Sequence, residues 1–306
     1  MIRDAWRKIR GRGASPAGDK SGGVKPENLV WVFGTARTGS SWLSAMMGEM
    51  GGYSRWHEPL VGHLFGNLYY VRAGHRGEDE HFILGARYRE LWLGTVRNFV
   101  LESATARFPE VAERGYLIVK EPQGSMGAPL LMEALPESRM ILLIRDPRDV
   151  VASNLDAHKK DTWTADLMRK GGKEKPPSLA ESRPDDFVKG QARRYVRDVG
   201  NAKQAYDAHK GRKVLIKYED LRADTLGTMK RIYAGLELPA GEAELARSVE
   251  KHSWENIPEE EKGEGKFHRK ATPGGWKEDL TPDQVEIVES VAGPLLEELY
   301  PVRSTA

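Results

Sequence analysis

Four short apolar runs punctuate a largely polar chain: Leu29–Phe33, Tyr116–Val119, Met140–Ile144 and Val214–Ile216. Each is too short for a core helix and runs straight into glycine, proline or charge. That pattern predicts buried strands of a parallel sheet. Between them the apolar spacing turns helical. Residues Ser40 to Met50 read as a helix closed by Gly51-Gly52, and residues 60–115 as mainly helical, with Phe65, Tyr69, Tyr70, Tyr88, Trp92 and Phe99 as core aromatics. An amphipathic helix follows over Asp185–Lys210, stopped by Gly211. Further helices are expected near 220–236 and 242–251, and a last one over Thr281–Tyr300 with Thr281 as N-cap. Strands alternating with helices predict an α/β fold: an open, mostly parallel sheet of about four to five strands flanked by helices, in a single domain with helical insertions.

Two stretches stand apart from this alternation. Residues 1–27 form a basic arm, with Ile2, Trp6 and Ile9 at helical spacing among Arg3, Arg7, Lys8, Arg10 and Arg12. Such a stripe suits an anionic membrane surface or a partner, although a solvated tail on the Gly/Ser/Pro-rich tether Gly11–Gly23 is the plainer reading. The domain proper is then 28–306. Asp156–Pro184 is polar and of mixed charge, either an insertion that closes over a site or a solvated loop.

Composition narrows the chemistry. The 306 residues carry 47 basic and 45 acidic side chains, which argues against nucleic acid as the main partner. There are no cysteines, so disulfides, thiolate metal sites and a cysteine nucleophile are excluded. No apolar run approaches the roughly 18 residues of a membrane span. The charged start lacks the apolar core of a signal peptide, so a cytoplasmic location is expected. Half of the eight histidines fall at 57, 63, 75 and 81, with no i, i+4 pair, so no metal site is expected.

The informative junction is the end of the first strand, Gly34-Thr-Ala-Arg-Thr-Gly39 followed by Ser40-Ser41-Trp42. A glycine-rich turn from strand into helix presents backbone N–H groups to a phosphate or other oxyanion. The spacing is that of the nucleotide P-loop G-x-x-x-x-G-K-[ST], except that Ser40 stands in place of the lysine and a cation, Arg37, has moved inside the loop. Without that lysine, ordinary nucleoside triphosphate hydrolysis is disfavoured. Three more polar clusters close strands or loops: Glu58-Pro59, Lys120-Glu121-Pro122, and Arg145-Asp-Pro-Arg-Asp149 leading to Ser153. Carboxyl ends of parallel strands are where open α/β sheets place their sites.

These segments resemble the sulfotransferases that use 3′-phosphoadenosine 5′-phosphosulfate (PAPS), and the matches cover much of 28–300 in the right order. The resemblance implies that Thr35, Ala36, Arg37, Thr38, Gly39, Ser40 and Ser41 cradle the 5′-phosphosulfate, with Trp42 against the adenine. It implies that Arg145 and Ser153, eight apart, grip the 3′-phosphate. Lys217-Tyr-Glu-Asp-Leu221 resembles a family signature whose tyrosine, here Tyr218, faces adenine. Ser253-Trp254 resembles its Ser-Phe adenine contact. Phe267–Lys277 resembles the loop that closes over the 3′-phosphate through Arg269, Lys270 and the Ala271 backbone, with Ala271 replacing glycine and Gly275 replacing aspartate.

Lys120 matches the lysine that contacts the transferring oxygens. The histidine base of the cytosolic members falls where this chain has Pro122, so that mechanism does not carry over. Glu58, 21 residues after Arg37, sits where tyrosylprotein members place a glutamate base, with His57 and Glu121 as rivals. The implied reaction moves a sulfuryl group from PAPS to a hydroxyl of a small-molecule, carbohydrate or lipid acceptor, leaving adenosine 3′,5′-bisphosphate (PAP) and needing no metal. Two other readings are a P-loop kinase of small molecules and a non-catalytic binder of nucleotide or sulfated glycan. The resemblance implies that 60–115 and 156–184 are acceptor-site or lid insertions, with some of the 60–115 aromatics serving both core and acceptor pocket; the sequence leaves the acceptor's identity and the oligomeric state open.

Overall fold

The central strand of the sheet is the first one made. A computed structural model of the protein describes residues 22–76, 78–79, 81–159, 162–164 and 178–301. The stripe Ile2, Trp6, Ile9 and most of the 156–184 insertion lie outside them. Five strands, β1 Leu29–Phe33, β2 Tyr53–His57, β3 Tyr116–Lys120, β4 Arg139–Ile144 and β5 Lys213–Lys217, pair in the order β2-β3-β1-β4-β5. All four pairings are parallel. The chain runs from β1 out to the β2 edge, returns to β3, and then crosses β1 to build β4 and β5. The order therefore switches direction between β1 and β4, where a doubly wound sheet opens a crevice at its strand ends.

Alternation along the strands feeds two cores. Leu29, Trp31 and Phe33 join Leu117, Val119, Leu142 and Ile144 on one face, packed by Val96 and Val100 of the helix Arg89–Arg107 and by Tyr195 and Val199 of the helix Pro184–Ala208. Val30 and Val32 join Ile118, Ile141, Leu143 and Ile216 on the other, beneath Leu43, Met46 and Met47 of the helix Ser40–Gly48. Covering both faces is why β1 reads as an unbroken apolar run. The expected strands are present, each within one residue at either end. β2 is an addition: its residues alternate in burial along an edge, so Ser54, Arg55 and His57 gave no apolar run to read.

The expected helices also form. Residues 60–115 fold as Val61–Arg76, Arg89–Arg107 and Pro109–Glu113, and Thr281 caps Pro282–Leu299 in a reciprocal capping box with Gln284. One contact positions the site. The helix Val61–Arg76 lies backbone to backbone on the segment Pro122–Gly127. A Cβ on Gly62 would fall 2.1 Å from the Gly124 carbonyl oxygen, and one on Gly66 2.5 Å from Gly127 Cα. Only glycines allow this approach.

Candidate active site

The turn after β1 is fixed before any ligand arrives. Gly34 has φ 154°, and a Cβ there would meet the Leu143 carbonyl oxygen at 2.2 Å. Its N–H donates to Ser125 Oγ at 2.9 Å. Thr38 Oγ1 closes the turn onto the Thr35 carbonyl at 2.8 Å, and Thr35 Oγ1 reaches Asp198 at 3.4 Å. Gly39, at φ 86°, leads into the helix Ser40–Gly48, which has neither a capping side chain nor an acidic residue in its first turn. Its opening N–H groups have no intrahelical acceptor and its dipole no local counter-charge, which makes it an anion seat.

A cavity of about 700 Å³ opens above this turn. It is lined by Ala36, Arg37 and Gly39–Trp42 of the turn, by Glu58 and Lys120, by Arg145, Ser153 and Tyr218, and by Trp254 and Arg269–Ala271. Arg145 is buried at the end of β4, with its guanidinium 4.4 Å above the Tyr218 ring and 3.7 Å from Asp149. Its Nε has no partner among the described residues. Asp149 is wholly buried and accepts from the N–H groups of Gly274 (2.8 Å) and Trp276 (3.0 Å). It thus ties the 267–277 loop to the helix Pro147–Ala157 that follows β4. Arg269 and Lys270 of that loop both pair with Asp279.

Arg37 lines the cavity from inside the turn, as a loop cation, and its guanidinium donates to Ser153 Oγ and to the Phe267 carbonyl, both at 2.9 Å. Its surroundings set this direction. Arg37 has φ 70°, and the Trp163 and Phe267 rings take its guanidinium at 5.6 and 5.1 Å. Burial, followed by the charges of Arg145 and Arg269, pulls its pKa down to about 10. Crowded cations in a buried wall mark a site short of negative charge.

The opposite chemistry sits at the end of β3. Lys120 Nζ pairs with Glu58 Oε1 at 2.5 Å, and Gln123 Nε2 lies 3.4 Å from the other oxygen. Burial pushes the Lys120 ammonium below its usual pKa, partly offset by Glu58. His57 lines the same wall, and burial lowers its pKa too. Glu58 and Leu60 both have left-handed backbones, φ 48° and 61°, at a cost of about 1–2 kcal/mol each. Glu121, the other rival for the base, faces away from the cavity: it is wholly buried and accepts from the N–H groups of Leu60 (3.0 Å) and Gly62 (3.2 Å). Burial raises its pKa to about 7.

The structure therefore brings most of the sequence-predicted residues to one cavity. Three stand off it: the Thr35 and Thr38 side chains brace the turn from beneath, and Ser253 opens a 3-10 turn behind the wall. Next to Ser253, the His252 carbonyl accepts from Trp42 Nε1 at 2.7 Å and sets the indole edge-on to Tyr218. Sequence reasoning missed Ser125, Trp163, the role of Asp149, and Arg222, which lines the cavity and donates its Nε–H to the Ala271 carbonyl at 3.2 Å. Only Asp149 carried a signal, as an acidic residue in the first turn of its helix.

A family profile described as "Sulfotransferase domain" matches residues 27–300. The omega-hydroxy-beta-dihydromenaquinone-9 sulfotransferase Stf3 of Mycobacterium bovis is 29% identical over 161 residues, a match spanning 53% of this chain and 37% of that protein. Among solved structures, sulfotransferase STF9 from Mycobacterium avium aligns with TM-score 0.54 at 14% identity, over 99% of this chain and 81% of that one. Mouse sulfotransferase SULT7A1, complexed with PAP, aligns with TM-score 0.50 at 14% identity, over 91% of this chain and 90% of that one. At such identities the two structures speak to the fold.

Proposed function

The chain belongs to the sulfotransferase family, and from that membership we propose that it transfers a sulfuryl group from PAPS to an acceptor hydroxyl, releasing PAP. One observation carries the reading: a cluster of guanidinium groups, with Arg37 bonded among the described residues only to neutral oxygens, and a Lys–Glu pair line the same cavity as an uncapped helix start. The residues fit the donor. Arg145, with its free Nε, offers a charge-assisted fork to the 3′-phosphate, and Ser153, Arg269, Lys270 and the Ala271 backbone close around it. Trp42, Tyr218 and Trp254 supply ring faces for a purine. Ala36 and Gly39–Ser41 supply N–H and hydroxyl donors for the 5′ end. The partners Arg37 holds in the structure are a hydroxyl and a carbonyl, both neutral, so an anionic oxygen displaces them favourably.

The donor supplies a sulfuryl group less negatively charged than a γ-phosphoryl. Glu58 takes the proton of the acceptor hydroxyl as that oxygen bonds to sulfur. Lys120, Arg37 and the turn N–H groups take up the charge left on the departing phosphate oxygen as its bond to sulfur breaks. Glu58 suits the task because its carboxylate reaches the cavity, whereas Glu121 is spent on backbone donors. For the acceptor we favour an apolar alcohol. Leu60, Leu64, Leu68 and Val71 are exposed on the segment that follows Glu58 in the chain, and one relative is named for a hydroxylated dihydromenaquinone.

Calorimetry and turnover test this. PAP is expected to bind at least about tenfold more tightly than ATP, the worth of one charged hydrogen-bonded group; tighter ATP binding makes the chain a kinase. Labelled PAPS screened against alcohols, phenols and sugars separates enzyme from binder. Glu58→Gln is expected to lower turnover by about 10²–10⁴ and to abolish the acidic limb of the pH–rate profile. An unchanged rate and profile remove Glu58 as base.

A further inference from the structure

Adjacent residues at the end of β3 point to opposite sides of the turn that carries Glu58. Lys120 faces the cavity and meets the Glu58 carboxylate, while its carbonyl accepts the Glu58 N–H at 2.9 Å. Glu121 lies behind the turn and receives the N–H groups of Leu60 and Gly62. Its own backbone reaches the donor side: its N–H donates to the Val32 carbonyl of β1 at 3.0 Å, and its carbonyl accepts from Ser125 Oγ at 3.2 Å. Ser125 Oγ in turn accepts the Gly34 N–H that opens the glycine turn. A continuous run of hydrogen bonds therefore joins the Glu58 turn to the anion seat, and Glu121 is its centre.

We propose that Glu121 is a positioning residue: it holds Glu58 and Leu60 in their left-handed backbone and keeps the Glu58 carboxylate in register with the Gly34–Ser41 turn. A buried carboxylate survives only where its bonds are satisfied, and here both oxygens are used on the segment that aims the base. Space for it is reserved. A Cβ on Gly124 would lie 1.9 Å from Glu121 Oε1, so a side chain there evicts the carboxylate. Two left-handed residues, one on each side of Pro59, do not hold themselves, and an unanchored turn lets Glu58 drift from the reacting oxygen.

This inference rests on Glu58 being the base, and the experiment separates the two. In the full chain at about pH 8.5, where the carboxylate is ionised, Glu121→Gln replaces one acceptor oxygen by an NH₂ group that cannot receive an N–H. Amide exchange at Leu60 and Gly62 is expected to accelerate about tenfold or more, with residues 34–41 unchanged; this readout needs no acceptor. With PAPS and 1-decanol, kcat is expected to fall about tenfold or more while the PAP dissociation constant stays within about twofold. Glu58→Gln/Glu121→Gln is expected to be no slower than Glu58→Gln alone. Unchanged exchange, loss of PAP affinity in step with kcat, or additive losses in the double variant each overturn the proposal. Wild-type turnover by Glu58→Gln instead overturns the base assignment. Should Glu121→Gln fail to fold, Gly124→Ala displaces the same carboxylate without removing it and is read identically.

Discussion

The two sides of the cavity are built on different principles. The side proposed to bind the donor is made of backbone and fixed charge: a glycine turn, an uncapped helix start, and Arg145 held by Asp149 at the end of β4. The side proposed to meet the acceptor is made of packing: a helix seated on glycines 62, 66, 124 and 127, and a turn with two left-handed residues that carries Glu58. Charge and backbone geometry can be specified by a few residues at fixed spacing. Packing can be achieved by many sequences, so the same job on the acceptor side leaves no spelling.

If that contrast is right, perturbing one side leaves the other's readout alone. The largest effect is expected from Lys120→Ala, which removes the cation that meets Glu58. Turnover should drop by about 10² or more with PAP affinity little changed; near-normal turnover takes Lys120 out of the mechanism. Next comes Arg145→Ala, expected to weaken PAP binding by about 10- to 10²-fold in calorimetry, as loss of a charged hydrogen-bond donor does. A fall in turnover at saturating PAPS with unchanged PAP affinity would reverse the assignment of the two sides.

The smallest effect is thermodynamic. Burial raises the Glu121 pKa to about 7 from 4.5, so the folded state holds this proton more tightly than the unfolded chain. Its contribution is whole below pH 4.5 and is lost as pH rises through about 7. Thermal melts should therefore show wild type losing stability relative to Glu121→Gln between pH 5 and 8, by at most about 3 kcal/mol. A flat difference over that window means the carboxylate is ionised throughout and stabilised by its two N–H donors.

The legibility of this protein in its sequence follows the same divide. β1, β3 and β4 announce themselves because both sheet faces are covered, and the edge strand β5 because Val214–Ile216 is an apolar run; β2 does not, since Arg55 and His57 interrupt its apolar residues on the other edge. The Gly34–Ser41 turn and Arg145–Ser153 spacing are readable because their geometry admits few residue types. Arg37 was readable as a loop cation but not as a guest of Trp163 and Phe267, residues far along the chain that no local spacing connects to it. Glu121 was equally ambiguous: a carboxylate beside Lys120 looks like chemistry until Leu60 and Gly62 are seen to occupy it.

The placement of β1 at the middle of the sheet also sets a schedule for biosynthesis. Leu29 pairs with Leu117 and Val30 with Arg139, so five wholly buried residues have no partner while the whole intervening helical region is translated. At about 5–20 residues per second that interval lasts on the order of ten seconds. The nascent chain carries an unpaired apolar strand throughout, so a truncation before β4 would leave one side of β1 without its neighbour.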